Sequence, residues 1–232
     1  MIRIQKYADF MNRGIFIPIG GAESLDTLKQ VIDIIGNRIN ILVITIATSY
    51  KKDAEEKYTK FFNELDCNVN VLHADNRDEV DTEESLSKLE NIELVFFTGG
   101  DQSKISTCLL GTEFLTRVKK KLKKGLVVSG TSAGAVAMSS HMIEGGKETP
   151  RVGAGLSLLP NFIIDSHFEE RNRMIRLKKA VDLGGTRIGL GISEDSAVVI
   201  NKNTIKVIGN GNTTLITTDG HKILKPGETF KI

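Results

Sequence analysis

Short apolar runs, each followed by a longer amphipathic stretch, are the feature that most constrains the fold of this chain. Ile15–Ile19, residues 41–46 and Leu94–Phe97 lack the polar alternation of a half-exposed strand. Strands of this kind are expected where helices cover both faces of a parallel sheet. Residues 23–35, which follow the first run, place their apolar side chains at helical spacing. This alternation predicts right-handed crossovers and a doubly wound, mostly parallel α/β sheet.

The alternation continues along the chain. Helices are predicted at residues 53–65 and 83–89 and through a region that ends near residue 122, and strands at residues 69–72 and 126–128. Glycine pairs or glycine-rich turns follow several of these strands. In such sheets a ligand site lies beyond the carboxyl ends of the strands. We therefore expect the turns at residues 20–21, 99–100 and 130–134 to lie together.

The rhythm changes after residue 196. Short strands separated by turn-forming sequences are predicted at residues 197–200, 204–208, 213–217 and 222–224. We interpret them as an antiparallel β meander that completes the same domain. Because no linker, low-complexity tract or internal repeat interrupts the chain, the sequence predicts one domain over residues 1–232.

Composition excludes several classes of protein. The chain has 232 residues, 40% of them hydrophobic and 26% charged, values that exclude wholesale disorder. A formal net charge of +2 argues against a dedicated nucleic-acid binder. Two cysteines make no disulfide framework, and no zinc-type or other metal-ligand spacing is visible. The charged first residues and the lack of a long apolar run predict a soluble, cytoplasmic protein that binds no membrane.

A nucleophile is predicted at Ser132. The sequence Gly-Thr-Ser-Ala-Gly at residues 130–134 follows an apolar strand and precedes a stretch of small, helix-compatible residues. Strand, Gly-x-Ser-x-Gly and helix form the nucleophile elbow, in which a strained turn exposes the serine hydroxyl. The alternative is a glycine-rich turn that only packs closely. A phosphate-binding P-loop is disfavoured because the Lys-Ser/Thr ending is absent.

The serine needs a base, and His167 is the best placed of four histidines. It ends the apolar strand at residues 162–164 and so belongs at the same sheet edge as the elbow. His73 ends an earlier strand, His141 follows the elbow helix, and His221 lies in the C-terminal meander. A carboxylate must orient the imidazole. Spacing leaves five candidates, Glu144, Glu148, Asp165, Glu169 and Glu194.

Glu194 stands out among these carboxylates. It lies in the turn at the carboxyl end of a strand predicted from Arg187 to Ile192. The chain order would then be Ser, His, Glu, which disfavours the α/β-hydrolase fold, where the acid precedes the histidine.

Three arginines follow His167. Arg171, Arg173 and Arg176 are predicted on a helix that runs to about Asp182, with Arg173 and Arg176 on one face. Such guanidinium groups suit the recognition of substrate carboxylates by paired hydrogen bonds. The alternative is a solvated helix face with a Glu169–Arg173 pair.

Four ordered segments carry a resemblance to a known family. They are residues 97–102, 130–135, 165–177 and 189–197, and their order and approximate spacing agree over residues 14–200. In these segments the sequence resembles the cyanophycinases, which belong to the serine peptidases that also include aspartyl dipeptidase.

The resemblance implies a site and an activity. It implies a Ser-His-Glu triad at Ser132, His167 and Glu194 and an oxyanion hole of backbone amides near Gly100 and Ala133. It further implies a substrate pocket that includes Gln102, Asp165, Arg171, Arg173 and Arg176. The implied reaction is exopeptidase hydrolysis of a β-linked aspartate–arginine polymer to the β-Asp-Arg dipeptide, without a cofactor. The implied fold is flavodoxin-like, of the class I glutamine-amidotransferase type, and the implied assembly is a homodimer.

The chain departs from the family pattern in two places. Ser166 stands where cyanophycinases usually carry glutamine, and the region between the elbow and His167 is shorter. Both departures border the pocket, so the alternatives are an aspartyl or isoaspartyl dipeptidase acting on small peptides and a non-catalytic homologue that binds ligands in the pocket.

Overall fold

A computed structural model describes residues 14–186 and 188–232, and strands alternate with helices through its first half. The strands are β1 (Ile15–Ile19), β2 (Asn40–Ile44), β3 (Asn68–Leu72), β4 (Leu94–Phe97), β5 (Val127–Thr131), β6 (His141–Gly145), β7 (Arg151–Ala154), β8 (Phe162–Ser166), β9 (Ile188–Ile192), β10 (Ser196–Asn201), β11 (Thr204–Gly209), β12 (Thr213–Thr217), β13 (Gly220–Leu224) and β14 (Thr229–Lys231). The helices are α1 (Leu25–Ile35), α2 (Lys51–Asn63), α3 (Arg77–Val80), α4 (Glu83–Ser87), α5 (Gln102–Leu109), α6 (Glu113–Leu122), α7 (Ala133–Ala137) and α8 (Met174–Gly184). Arg187, the predicted first residue of the strand before Glu194, lies outside the described residues, as do residues 1–13.

The central sheet has eight strands in the order β14-β11-β10-β1-β5-β4-β2-β3. Strands β1, β5, β4, β2 and β3 run parallel, whereas β10, β11 and β14 are antiparallel to their neighbours. The predicted α/β fold with a mostly parallel, flavodoxin-like sheet is therefore confirmed.

Both faces of this sheet are covered, which explains the missing polar alternation. In β4 the side chains of Val95 and Phe97 join a core that includes α5, α6 and α7. The alternate side chains Leu94 and Phe96 join a second core on the opposite face, under α1 and α2.

A second sheet of four strands has the order β13-β12-β9-β8, with β8 and β9 parallel. The C-terminal strands are antiparallel, as predicted, and are divided between the two sheets. Strand β10 has five consecutive buried residues and lies inside the central sheet, whereas β13 is mostly exposed and forms an edge of the second sheet. The difference follows from burial, because only a strand with two apolar faces fits inside a sheet covered on both sides.

Helix boundaries differ from the predictions, and two of the differences concern predicted site residues or the segments beside them. The helical region before residue 122 is broken into α5 and α6 at Gly111, whose φ of +83° no helix accommodates, and Thr112 caps α6. Helix α8 begins at Met174, so Arg171 and Arg173 precede it. Of the helices described, none combines the length and the apolar character that a membrane crossing requires.

The carboxyl ends of strands from both sheets meet at one loop. The β1–α1 loop (residues 20–24) follows the central strand β1, and its Gly20 and Gly21 carbonyls accept hydrogen bonds from the His167 and Asp195 amides, at 2.9 and 2.8 Å. Since His167 follows β8 and Asp195 lies between β9 and β10, this loop joins the ends of both sheets.

Candidate active site

Ser132 occupies a strained turn between β5 and α7. Its φ of 51° and ψ of −111° lie in a region that residues with a side chain rarely adopt. The flanking glycines make the turn possible, because a Cβ on Gly134 would lie 2.3 Å from the carbonyl oxygen of Phe97. The turn therefore has the strand–elbow–helix form that the sequence predicted.

The side chains of Ser132, His167 and Glu194 form one hydrogen-bonded chain. Ser132 Oγ lies 2.8 Å from His167 Nε2, and His167 Nδ1 lies 2.6 Å from Glu194 Oε1. The histidine side chain is 14% exposed and the glutamate side chain 38% exposed, so the chain of contacts opens to solvent at its acidic end. This geometry allows the imidazole to take a proton from the serine while the carboxylate orients its other nitrogen.

The other titratable candidates contact different groups in the described structure. Among the five carboxylates considered, the side chain of Glu194 contacts the imidazole, whereas Asp165 binds arginines. His73 contacts Thr45 and Glu55, at 2.6 and 2.9 Å. His141 and His221 are exposed on β6 and β13.

The imidazole is held by the β1–α1 loop. His167 also has a positive φ, 48°, and its amide donates to the Gly20 carbonyl. Gly21 packs against the ring, and a Cβ at that position would lie 2.4 Å from His167 Cε1. Gly21 therefore leaves space that any side chain would take from the imidazole.

Asp195, next to Glu194, ties the acidic turn to the start of α1. Its Oδ1 accepts from the Ser24 amide at 2.8 Å and from Thr27 Oγ1 at 2.6 Å, and its Oδ2 accepts from Asn210 Nδ2 at 2.7 Å. Burial raises the pKa of the Asp195 carboxyl, but the hydrogen bonds outweigh that effect and lower the pKa below its ordinary value. The carboxylate is therefore ionised at neutral pH.

The backbone amides of Gly100 and Ala133, predicted to form an oxyanion hole, donate to no protein acceptor among the described residues. Gly99 packs beside the serine, since a Cβ there would lie 3.5 Å from Ser132 Cβ. The Gly100 amide has no protein acceptor among the described residues. Ala133 is the first residue of α7, where amides have no partner inside the helix. Gln102 Nε2 donates to the carbonyls of Ile143 and Glu144 at 2.7 and 3.2 Å, which orients its amide toward β6.

Arg173 and Arg176 share one buried carboxylate. Asp165, whose side chain has no exposed surface, accepts from Arg173 Nη1 at 2.9 Å and from Arg176 Nε at 2.8 Å, and Arg176 Nη2 makes a further contact. The same guanidinium groups donate to the carbonyls of Ser166 and Gly146, at 2.6 and 2.9 Å. Paired hydrogen bonds from these arginines therefore go to a carboxylate of the protein itself.

Arg173, Arg171 and Ser166, at the predicted pocket, differ in exposure. Burial lowers the pKa of the Arg173 guanidinium, an effect that the Asp165 carboxylate opposes. Arg171 is exposed and has no ion pair among the described residues, and the alternative Glu169–Arg173 pair is not found there either. Ser166 is buried, with 4% of its surface exposed.

Sequence reasoning missed Glu23, which has 6% of its surface exposed and contacts Thr131, the residue before Ser132. A carboxylate two residues after the glycine pair that follows β1 was the available signal. Among the described residues, no group of three or more His, Cys, Asp or Glu side chains could hold a metal ion.

Comparisons with known proteins agree with one another. The model of Peptidase family S51 matches residues 17–208. A cyanophycinase from Geminocystis herdmanii is 33% identical over 219 residues, which cover 88% of this chain and 80% of that protein. Peptidase E from Nostoc sp. is 25% identical over 185 residues, which cover 75% of this chain and 73% of that protein. The crystal structure of a peptidase from an acI-B1 Actinobacterium has the same fold, with a TM-score of 0.78 at 19% identity, over 97% of this chain and 100% of that one.

Proposed function

The chain belongs to peptidase family S51 and is a serine peptidase, and from this premise we propose that it is an exopeptidase of the cyanophycinase type that hydrolyses β-linked aspartyl–arginine polymer or peptides. The observation that carries the proposal is the continuous set of hydrogen bonds from Ser132 through His167 to Glu194. These three residues are the proposed triad.

The reaction begins with proton transfer. His167 Nε2 accepts the proton of the Ser132 hydroxyl as the serine oxygen attacks an aspartyl carbonyl. A tetrahedral intermediate forms, and we assign the amides of Gly100 and Ala133 to its oxyanion. The imidazolium then protonates the leaving amine, which departs and leaves an ester on Ser132. Water, deprotonated by His167, hydrolyses the ester and restores the serine hydroxyl.

Glu194 acts on the histidine. Its carboxylate accepts a hydrogen bond from Nδ1–H, which keeps Nε2 free to accept the serine proton and stabilises the imidazolium that forms. The carboxylate itself keeps its charge throughout.

The substrate side chain is assigned to the pocket beside the triad. Arg171 is exposed and unpaired among the described residues, and so has donors free for a substrate carboxylate. Gln102 uses its Nε2 on β6, so its Oε1 is left to accept from a substrate. Asp165, Arg173 and Arg176 complete the proposed pocket, with Asp165 fixing the two guanidinium groups.

Replacement of Ser132 tests the nucleophile. Ser132→Ala should abolish release of β-Asp-Arg dipeptide from the polymer, because the variant lacks the serine oxygen on which the ester forms. The variant should keep the far-UV circular dichroism and the melting temperature of the wild type. Unchanged cleavage by this variant would exclude Ser132 as the nucleophile.

A second candidate is an aspartyl or isoaspartyl dipeptidase acting on small peptides. This alternative rests on the 25% identity to a peptidase E and on the shortened region beside the pocket, whereas the identity to the cyanophycinase is higher, at 33%. The comparison is turnover of β-Asp-Arg polymer against α-Asp-X and β-Asp-X dipeptides under the same conditions. Faster turnover of the dipeptides, with the polymer left intact, would favour the dipeptidase.

A non-catalytic homologue is separated by labelling. A fluorophosphonate that reacts with activated serines should modify Ser132 in the wild type and leave Ser132→Ala unmodified.

We also propose that the protein is a cytoplasmic homodimer. Light scattering coupled to size-exclusion chromatography gives the mass in solution, and cell fractionation gives the compartment.

A further inference from the structure

Residues 19–24, which are Ile19 and the β1–α1 loop, contact Ser132, His167 and the residue next to Glu194. The carbonyl of Ile19, just before the loop, accepts from the Ser132 amide at 3.0 Å. Gly20 and Gly21 hold His167 and Asp195, as described above. Glu23, near the end of the loop, reaches the residue before the nucleophile. Three elements far apart in sequence are therefore positioned against one short segment.

The Glu23 carboxylate is buried and fully engaged. Its side chain is 1% exposed. One oxygen, Oε1, accepts from Tyr58 Oη at 2.7 Å and from Lys57 Nζ at 3.0 Å. The other oxygen, Oε2, accepts from Thr131 Oγ1. A buried carboxylate needs such donors, because burial without them is strongly unfavourable.

The donors come from two sides. Tyr58 and Lys57 belong to α2, on one face of the central sheet, and Thr131 is the last residue of β5. Burial first, and then the charge and hydrogen bond of Glu23, raise the pKa of Tyr58 well above its ordinary value, so the tyrosine remains a donor. Glu23 thus joins helix α2 to the strand that ends in the elbow.

Thr131, which Glu23 binds, directly precedes the strained residue Ser132. The next residue, Ser132, has the positive φ of 51°, and a single strained residue of this kind persists only when its surroundings over-determine it. The hydrogen bond from the Ser132 amide to the Ile19 carbonyl fixes the peptide unit between Thr131 and Ser132. The hydrogen bond from the Thr131 side chain to Glu23 fixes Thr131 itself.

We propose that Glu23 is a positioning residue for the nucleophile, because its buried carboxylate holds the Thr131 hydroxyl and so fixes the backbone that carries Ser132. The inference rests on the proposed function, since it assumes that Ser132 is the reacting group. Glu23 acts through Thr131 and does not contact the reacting atoms.

The alternative is that Glu23 only stabilises the fold. A buried carboxylate surrounded by donors contributes little more net stability than apolar packing of the same volume, so stability alone is a weak reason for its presence. The two roles differ in their effect on the reactivity of Ser132 in a protein that is still folded.

Thr131→Val is the decisive variant. Valine keeps the shape of threonine and removes the hydroxyl that Glu23 holds. The maximal rate of Ser132 labelling by a fluorophosphonate should fall roughly 10- to 100-fold, as expected for a small misplacement of a reacting group. Thr131→Ser keeps the hydroxyl and should restore most of the rate. Labelling is followed well below the melting temperature of every variant.

Ser129→Ala is the matched control. Ser129 lies two residues earlier on the same strand and face, is fully buried and donates to the Ile17 carbonyl at 2.7 Å. The substitution also removes a buried hydroxyl, but one that is not joined to Glu23. It should lower the melting temperature and leave the labelling rate within about twofold of the wild type.

Glu23→Ala tests the carboxylate itself. It should lower the labelling rate as Thr131→Val does, and the double variant should be no slower than the slower single variant, because both changes break one link. The pH midpoint of labelling should stay at the wild-type value while the plateau falls.

Three results would overturn the proposal. The first is a plateau labelling rate of Thr131→Val that equals that of Ser129→Ala. The second is a double variant of Glu23→Ala and Thr131→Val in which the two losses of labelling rate multiply. The third is a shifted pH midpoint of labelling, with the plateau rate restored at another pH. If the wild type itself fails to label at Ser132, the proposed function fails, and that outcome is distinct from wild-type labelling that Thr131→Val leaves unchanged.

Discussion

Two residues of the candidate site, Ser132 and His167, have positive φ angles although both carry side chains. Such conformations cost on the order of 1–3 kcal/mol each and persist where neighbouring contacts impose them. Both residues are held through their amides by the segment of Ile19 and Gly20. The strain is therefore located at the two residues to which the proposed mechanism assigns the proton transfer.

Gly21→Ala tests the contact with the imidazole. The new methyl group would lie 2.4 Å from His167 Cε1, and the φ of +109° disfavours any side chain, so the ring must move from Ser132. We expect at least a tenfold lower labelling rate at Ser132, as for other small displacements of reacting groups. Gly36→Ala, at φ +118° with open space around it, is the control for backbone strain alone. Equal rates in the two variants would contradict the steric argument.

The lowered pKa of Asp195 predicts that part of the free energy of unfolding is lost in acid. Its pKa is lowered in the folded state, so the stabilisation is fully present above the unfolded-state value of about 3.9 and is lost as the pH falls through the folded value. Asp195→Asn should lower the free energy of unfolding by about 1–3 kcal/mol at pH 7. The difference from the wild type should shrink below about pH 4.

The measurement for Asp195 is urea unfolding between pH 3 and pH 7. Asp219→Asn, in an exposed turn between β12 and β13, is the control and should follow the wild type at each pH. A difference between Asp195→Asn and the wild type that stays constant down to pH 3 would contradict the role of the charge.

Residues at strand ends could be predicted from sequence, and residues that meet across the fold could not. Ser132, His167 and Glu194 each follow a recognisable strand, and the structure brings their side chains together. Glu23 meets Tyr58 and Thr131, which lie 35 and 108 residues away, and no local pattern indicates such a contact.

At the level of elements, a buried ion cluster connects β8 to α8. Asp165 is the fourth residue of β8, which is buried throughout, and the two arginines that bind it lie at the N-cap and in the first turn of α8. The sequence placed Arg173 and Arg176 on one face, but it could not show that a carboxylate of the preceding strand faces them. That pairing depends on how the helix folds back over the second sheet.

Asp165→Asn should be strongly destabilising. Removal of the charge leaves two guanidinium groups near each other in a buried place, and breaking such a pair costs about 3–5 kcal/mol. Glu113→Gln, which breaks the exposed pair with Arg117, should change the free energy of unfolding by less than about 0.5 kcal/mol. Chemical denaturation of both variants gives the comparison, and equal losses would contradict the role of burial.

Strand type was predictable from burial, and sheet membership was not. Strands β2 and β4 are apolar on both faces and lie inside the central sheet, as their sequences indicate. Strands β8 and β9 are also buried throughout, yet they belong to the second sheet. In that sheet β8 pairs with β9, and β9 pairs with β12, a partner that comes later in the chain and that local periodicity does not identify.

For the whole molecule we predict one cooperative unfolding transition, consistent with the prediction of one domain. A single core cluster contains residues of β4, α7 and β8, and so includes both sheets. Far-UV circular dichroism and fluorophosphonate labelling of Ser132 should be lost at the same denaturant concentration. Two separate transitions would contradict the prediction.

The β1–α1 loop has a consequence for the newly made chain. Synthesis delivers Ser132 and His167 before the segment that carries Glu194, and β10, which pairs with β1, comes directly after that segment. A nascent chain that ends before residue 194 therefore has the serine and the imidazole without the carboxylate, and one that ends before residue 201 lacks a complete β10 to pair with β1. With the proposed triad, we expect hydrolytic activity only in chains that contain Glu194 and a complete β10.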